Sequence, residues 1–159
     1  MSTAQKQKSF KSQLAFGEEG EHEIADLLIG RGVTILPLYQ FTNDSAPVFF
    51  SKNSNIISPD LICFKDDCFM VEVKTKNQWV SYNGLVETGL NRRHYEHYQK
   101  IQKATKKEFW VFFNHKKQEP VGVFFCRLND VTRFWDGIVN NIKIHPEMAF
   151  YRKEVLKKL

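Results

Sequence analysis

Residues 57–76 read ISPDLICFKDDCFMVEVKTK, and the fold turns on how this stretch pairs with itself. Two apolar runs, DLICF and CFMVEVKT, flank Lys65-Asp66-Asp67, which has the length of a hairpin turn. A three-residue loop centred on Asp66 places Asp60 opposite Glu72, although a bulge would shift that register by one. Alternation along the second strand puts Glu72 and Lys74 on one face. Directly opposed Cβ atoms lie roughly 4.5–5.5 Å apart, a spacing at which like charges are destabilising. Two carboxylates so close on an apolar sheet need compensating positive charge. Lys74 supplies one, and a hard divalent cation such as Mg²⁺, which prefers carboxylate oxygens, is the natural second.

The plain alternative is that Glu-Val-Lys is only the polar side of an amphipathic strand, a common pattern. Two details weigh against it. Asp60 follows Pro59 at the matching cross-strand place, and most other residues of both runs are apolar.

Working outward, GEEGEHEIADLLIGRG (17–32) has acidic groups in its first turns, 3.6-residue apolar spacing at Ile24, Leu27 and Leu28, and glycines at its end. These predict a helix. VTILPLYQF follows as a β-rich run with Pro37 marking an edge or bend, and residues 42–56 read as a long loop. Beyond the hairpin, 77–91 reads as irregular and NRRHYEHYQKIQKATKK as a helix. EFWVFFN and VGVFFCRL read as strands, and DVTRFWDGIVNNI as a further helix. The tail PEMAFYRKEVLKKL leaves two readings open: a helix opened by Pro146, or a short strand over 149–151. The order is that of a mixed α/β layer domain.

The chain has 159 residues, a size that predicts one domain over 15–159 behind a mobile polar lead-in at 1–14. Its net charge of +5 favours an anionic partner. No apolar run approaches the roughly 20 residues that span a bilayer, and MSTAQKQKSFKSQ lacks the apolar core of a secretory signal. A cytoplasmic protein with no membrane partner is therefore expected. Cys63, Cys68 and Cys126 form no CxxC pair and are expected as reduced core residues.

Pro59-Asp60 followed by Glu72-Val73-Lys74, within a helix–three-strand–helix–strand order, resembles the PD-(D/E)XK nuclease superfamily, over roughly residues 15–127. That resemblance implies a restriction endonuclease-like core with a central mixed β-sheet of about five strands. It also implies an activity, hydrolysis of phosphodiester bonds in DNA with Mg²⁺ or Mn²⁺. The metal would be held by Asp60, Glu72 and the Val73 carbonyl, with Lys74 beside the attacking water. GEEGEHEIADLL resembles the resolvase pattern that places a glutamate on the first helix, which selects Glu21, with Glu18 as a substitute. A homodimer is implied by related enzymes that must cut two strands. The chain departs from exonuclease-like branches, which carry Gln four residues before Tyr; here the order is Tyr95…Gln99 and Tyr98…Gln102.

On the 91–107 helix, Arg93, Lys100, Lys103 and Lys107 fall on one stripe and, with Lys76, are candidates for a nucleic acid backbone. A solvated helix face is the competing account for any one of them. His94 and His97 have i, i+3 spacing but no third ligand, so they read as polar surface. Trp79 and Tyr82 fit burial against the sheet better than base stacking. No glycine-rich phosphate loop is present. A DNA-binding module of the same fold that does not cleave is the second reading, and a basic α/β protein with decorative hairpin charges the third.

Overall fold

The computed structural model describes residues 3–38, 48–50, 55–139, 142–143 and 145–159, with side chains of the first helix given from Phe16 onward. That helix, α1 (Thr3–Ile29), is longer than expected, since residues 3–14, read as a lead-in, are helical from Thr3. Ala, Gln, Lys and Leu are good helix formers, and no Gly or Pro interrupts them before Gly17. The helix stops at Gly30, whose N–H bonds Asp26 O, and Gly32 at φ 77° turns the chain toward the sheet.

The strands follow as β1 (Thr34–Pro37), β2 (Val48–Phe50), β3 (Asn55–Ile57), β4 (Leu61–Phe64), β5 (Cys68–Lys76), β6 (Val80–Tyr82) and β7 (Leu85–Asn91). Helix α2 (Arg92–Thr105) precedes β8 (Glu108–His115) and β9 (Gly122–Arg127). The chain closes with β10 (Arg133–Trp135), β11 (Ile138–Val139), β12 (Ile142–Lys143), β13 (Met148–Arg152) and β14 (Lys157–Lys158). The main sheet has six strands in the order β1-β4-β5-β8-β9-β14. Among the described residues only β5 and β8 pair in parallel, because the intervening β6, β7 and α2 carry the chain back across the sheet. A second sheet, β10-β13-β7-β6, packs against α2 and the main sheet.

Each face of the main sheet buries its own core. On one side Ile24, Ala25 and Leu28 of α1 pack on Leu61, Cys63, Val71, Val73 and Phe112. On the other, Tyr95, Tyr98 and Ile101 of α2 pack with Met70, Val111 and Phe113 and with Leu90, Ala149 and Tyr151 of the second sheet. Asn91 caps α2 by accepting from the Arg93 amide at 2.9 Å, and Lys106 at φ 57° ends it.

Two further expectations are corrected and one open reading is decided. Residues 77–91 are the hairpin β6–β7, turned by Asn83 and Gly84 at φ 49° and 76°, the pair that a tight hairpin favours. The segment read as a helix, DVTRFWDGIVNNI, is extended at 133–135 and 138–139. There β10 gains a ladder with β13, and Gly137 at φ 79° makes a turn that a helix cannot contain. The tail takes its strand reading as β13 and joins the second sheet. Within the expected 42–56 loop, β2 and β3 form a short pair, while 42–47 and 51–54 lie outside the described residues, as do 39–41 of the preceding β-rich run.

Candidate active site

The β4–β5 ladder pairs Leu61 with Val71, Ile62 with Met70 and Phe64 with Cys68, the register expected from the turn length. One further step brings Asp60 beside Glu72. A second would set Pro59 opposite Val73, where proline has no N–H to donate, leaving the Val73 carbonyl without that strand partner. The Val73 amide instead donates to Asp60 Oδ2 at 2.7 Å. The aspartate side chain thus completes the ladder where the strand itself stops.

Along β5, alternation turns Glu72, Lys74 and Lys76 to one face and Val71, Val73 and Thr75 to the other. Glu72 is 1% exposed, forms an ion pair with Lys74, and keeps Oε2 buried without a hydrogen-bond partner. An ionised carboxylate in such a place needs positive charge or donors.

Glu21 of α1 joins this group. Its pKa is pushed up to about 7, first by burial and then by Glu72 and Glu18, with Lys74 opposing. Glu18 itself is exposed. Burial and then Glu72 hold Asp60 well above the ordinary carboxylate range, against the pull of Lys74. Burial works against the Lys74 charge, but Glu72, Asp60 and Glu21 outweigh it and raise its pKa. Lys74 is therefore a firmly protonated ammonium among three carboxylates. Lys76, one step out along the strand, is lowered to about 8 by burial and by Lys74.

Gly20 sets how closely α1 meets β5. A Cβ there would overlap the Thr75 hydroxyl, so only glycine lets the helix lie this near the strand. Glu23, one turn on, is fixed to β8 by Asn114 Nδ2 at 2.6 Å and by an ion pair with Lys116. These contacts fix the helix on either side of Glu21.

The donor chemistry, hard carboxylate oxygens and one partnerless buried oxygen, fits a hard divalent cation. Among the described residues, no three Asp, Glu, His or Cys side chains are already gathered closely enough to hold one. Lys74 occupies Glu72 Oε1, and Val73 N–H occupies Asp60 Oδ2.

Of the basic candidates, Arg93, Lys100 and Lys103 are exposed on α2. Lys107 is bound at 2.6 Å to Asp67 in the β4–β5 turn. Asp67 lies five residues before Glu72, roughly 16 Å along the strand at about 3.3 Å per residue. His94, read from sequence as surface, is half-buried, with Nδ1 at 3.3 Å from the hydroxyl of Tyr98. His94, Tyr98 and Ile101 recur at i, i+4 and i+7, and the last two are buried; that spacing was the available signal. His97 accepts the Ile57 amide at 3.2 Å and ties β3 to α2. Trp79 is buried, whereas Tyr82 is exposed beneath the Arg133 guanidinium at 4.1 Å.

No family model matches the sequence, and no curated protein matches it. Among solved structures, the fold is similar to that of Hjc, a Holliday junction resolvase from the archaeal hyperthermophile Archaeoglobus fulgidus. The TM-score is 0.55 at 14% identity, over 87% of this chain and 90% of that one. The class this defines is the restriction endonuclease-like α/β fold, with a mixed six-stranded central sheet and two helices. Among the described residues, no helix is long and apolar enough to cross a membrane.

Proposed function

We propose that this chain is a metal-dependent nuclease that hydrolyses phosphodiester bonds in DNA. The observation that carries this reading is the buried, partnerless Oε2 of Glu72 in a group that also holds Asp60, Glu21 and the Lys74 ammonium. Asp60, Glu72 and the Val73 carbonyl would hold Mg²⁺ or Mn²⁺, with Glu21 as the helix ligand. When bound, the ion supplies Lewis-acid neutralisation of phosphoryl charge and an acidified water. Lys74, kept protonated by its carboxylate neighbours, orients the attacking water and stabilises charge developing on the phosphoryl oxygens. Arg93, Lys100 and Lys103 follow the substrate backbone and Lys76 stands next to the scissile position, whereas Lys107 is committed to Asp67.

The likeness to a Holliday junction resolvase supports DNA as substrate and makes branched DNA the first form to test. A single domain in the cytoplasm, acting as a homodimer on two strands, completes the reading. The test is incubation with plasmid and branched DNA, with Mg²⁺, Mn²⁺ or chelator. Metal-dependent cleavage that disappears in both Asp60→Ala and Lys74→Ala is expected, and undiminished cleavage in either variant would overturn the assignment. A module that binds DNA without cutting it is favoured by one observation, that Lys74 already occupies Glu72 Oε1. Its signature is a gel shift with no cleavage under any metal.

A further inference from the structure

Strands β2 and β3 form a ribbon with two unlike faces. Phe49 and Ile56, directly opposite each other, turn inward: Ile56 is buried and Phe49 packs on the core cluster that includes Tyr98 and Ile101 of α2. Alternation turns Val48 and Phe50 outward. Val48 is 40% exposed and Phe50 84%, the highest value for a large apolar side chain among the described residues. A lone exposed apolar residue is ordinary on a protein surface. Phe50 is set apart by what surrounds it.

The ribbon is held against the basic side of α2. The Ile57 amide donates to His97 Nδ1 at 3.2 Å, and Arg93, His97 and Lys100 recur at i, i+4 and i+7 along one stripe of the helix. Arg93 and Lys100 are both exposed. Glu96, the acid on that side of the helix, is paired with Arg92 at 3.0 Å. The ribbon also leads directly into the site, since Ser58 and Pro59, both buried, join Ile57 to Asp60. Phe50 pairs with Asn55, which stands five residues before Asp60. At no more than about 3.6 Å per residue, and about 5.5 Å across the pair, the Phe50 Cα lies within about 24 Å of the Asp60 Cα. A stacked DNA strand advances about 3.4 Å per nucleotide, so that reach covers about seven nucleotides.

An outward aromatic ring beside two exposed cations suits one kind of ligand. The cations follow phosphates, while the ring stacks on a base whose face is open. The interior of a duplex offers no such face, whereas an unpaired strand does. We propose that Phe50 stacks on an unpaired base of the nucleic acid, within about seven nucleotides of the phosphodiester held at Asp60 and Glu72. This assignment rests on the proposed nuclease reading for the position of the cut, and adds to it a preference for substrate with unpaired strand.

The test is binding, measured in chelator so that cleavage does not intervene. By fluorescence anisotropy, affinity for a single strand of about 20 nucleotides should fall about tenfold or more in Phe50→Ala, the size of one lost base–aromatic stack, and stay within about threefold in Phe50→Trp. Affinity for a blunt duplex of the same length should change by less than about twofold in both. Melting temperatures should match the parent, because so exposed a ring holds little of the fold together. Undiminished single-strand binding in Phe50→Ala, an equal loss on duplex, a lowered melting temperature, or a parent that binds no single strand would overturn the assignment. So would a parent dimer that Phe50→Ala converts to monomer in sedimentation, which would make the outer face a contact between two copies of this chain. Failure of the nuclease reading has a different signature: single-strand binding that depends on Phe50, with no cleavage in Mg²⁺ or Mn²⁺.

Discussion

The amide of Val73 donates to Oδ2 of Asp60 at 2.7 Å, so a side chain takes the place of a strand carbonyl at the open end of β4. Asp60 thus has a structural duty separable from any catalytic one. Asp60→Asn keeps an acceptor and removes a carboxylate whose charge burial and Glu72 disfavour. Its melting temperature should equal or exceed that of the parent, while cleavage is lost. Asp60→Ala should lose cleavage and also about 1–3 kcal/mol, because the buried amide is orphaned. Matching urea unfolding curves for the two variants would disprove this separation.

Glu72 and Lys74 should behave as a unit. Lys74→Met leaves a carboxylate that is 1% exposed without its cation, a change that typically costs about 3–5 kcal/mol. Adding Glu72→Gln removes the stranded charge. The double variant is therefore expected to be more stable than Lys74→Met alone, which a double-mutant cycle in urea reads directly.

Glu21 gives the site a pH dependence whose sign is fixed. Its folded pKa of about 7 lies above the usual carboxylate value, so the proton is retained at mildly acidic pH and lost as pH rises through neutrality. A metal ligand must be deprotonated, so Mn²⁺ affinity should climb between about pH 6 and about pH 8. Glu21→Gln should flatten that rise in calorimetric titrations. Glu18→Gln should leave most of it, and a flat profile in the parent would count against Glu21 as a ligand.

Gly20→Ala should push α1 away from Thr75 and cost about 1–3 kcal/mol through overpacking. Thr75→Ala removes the hydroxyl that the new methyl would strike. The pair Gly20→Ala, Thr75→Ala should therefore recover part of the loss in thermal melts, and no recovery would show that the contact does not set the helix position.

His115 predicts acid sensitivity. It is fully buried, stacked on Trp79 at 3.7 Å with its Nε2 3.2 Å from Thr88 Oγ1, and its pKa is lowered to about 4 by burial and then Lys76. Because the folded pKa is below the unfolded one, the unfolded chain binds the proton first. Stability is then lost as pH falls from about 6.5 toward about 4, by up to roughly 3 kcal/mol. Glu21 and Asp60 titrate with the opposite sign, so the measurement is the difference in urea midpoint between parent and His115→Gln across that range. A difference independent of pH would reject the assignment.

Much of the site was readable because its geometry is local. Lys65-Asp66-Asp67 sets the register of one hairpin, and that register, carried one step past Leu61 and Val71, brings Asp60 beside Glu72. Period and capping likewise mark α2, from Asn91 to Lys106. What sequence reading missed depends on distant partners. Phe134 and Trp135 carry no strand signal until Ala149 and Met148 lie beside them. His94 reads as surface until α2 is laid over Glu72. The β6–β7 turn is a different case, since Asn83-Gly84 between two β-rich runs was a local signal that went unused. The roles of the site residues rest on chemistry that neither spacing nor fold decides.

The chain passes from Lys76 to β6 through a short span in which Trp79 is gripped from several sides. Its amide donates to Gln118 Oε1 at 2.8 Å, its indole N–H to Pro120 O at 3.2 Å, and its ring lies flat on His115. Trp79 thereby acts as a bulkhead between the exposed strand β6 and the charged end of β5. Wear at Val80, Ser81 or Tyr82, whether by substitution or by a passing partner, is absorbed there before it can tilt Lys74. Strand β6, exposed along its length, is free to diversify while the interior chemistry holds still.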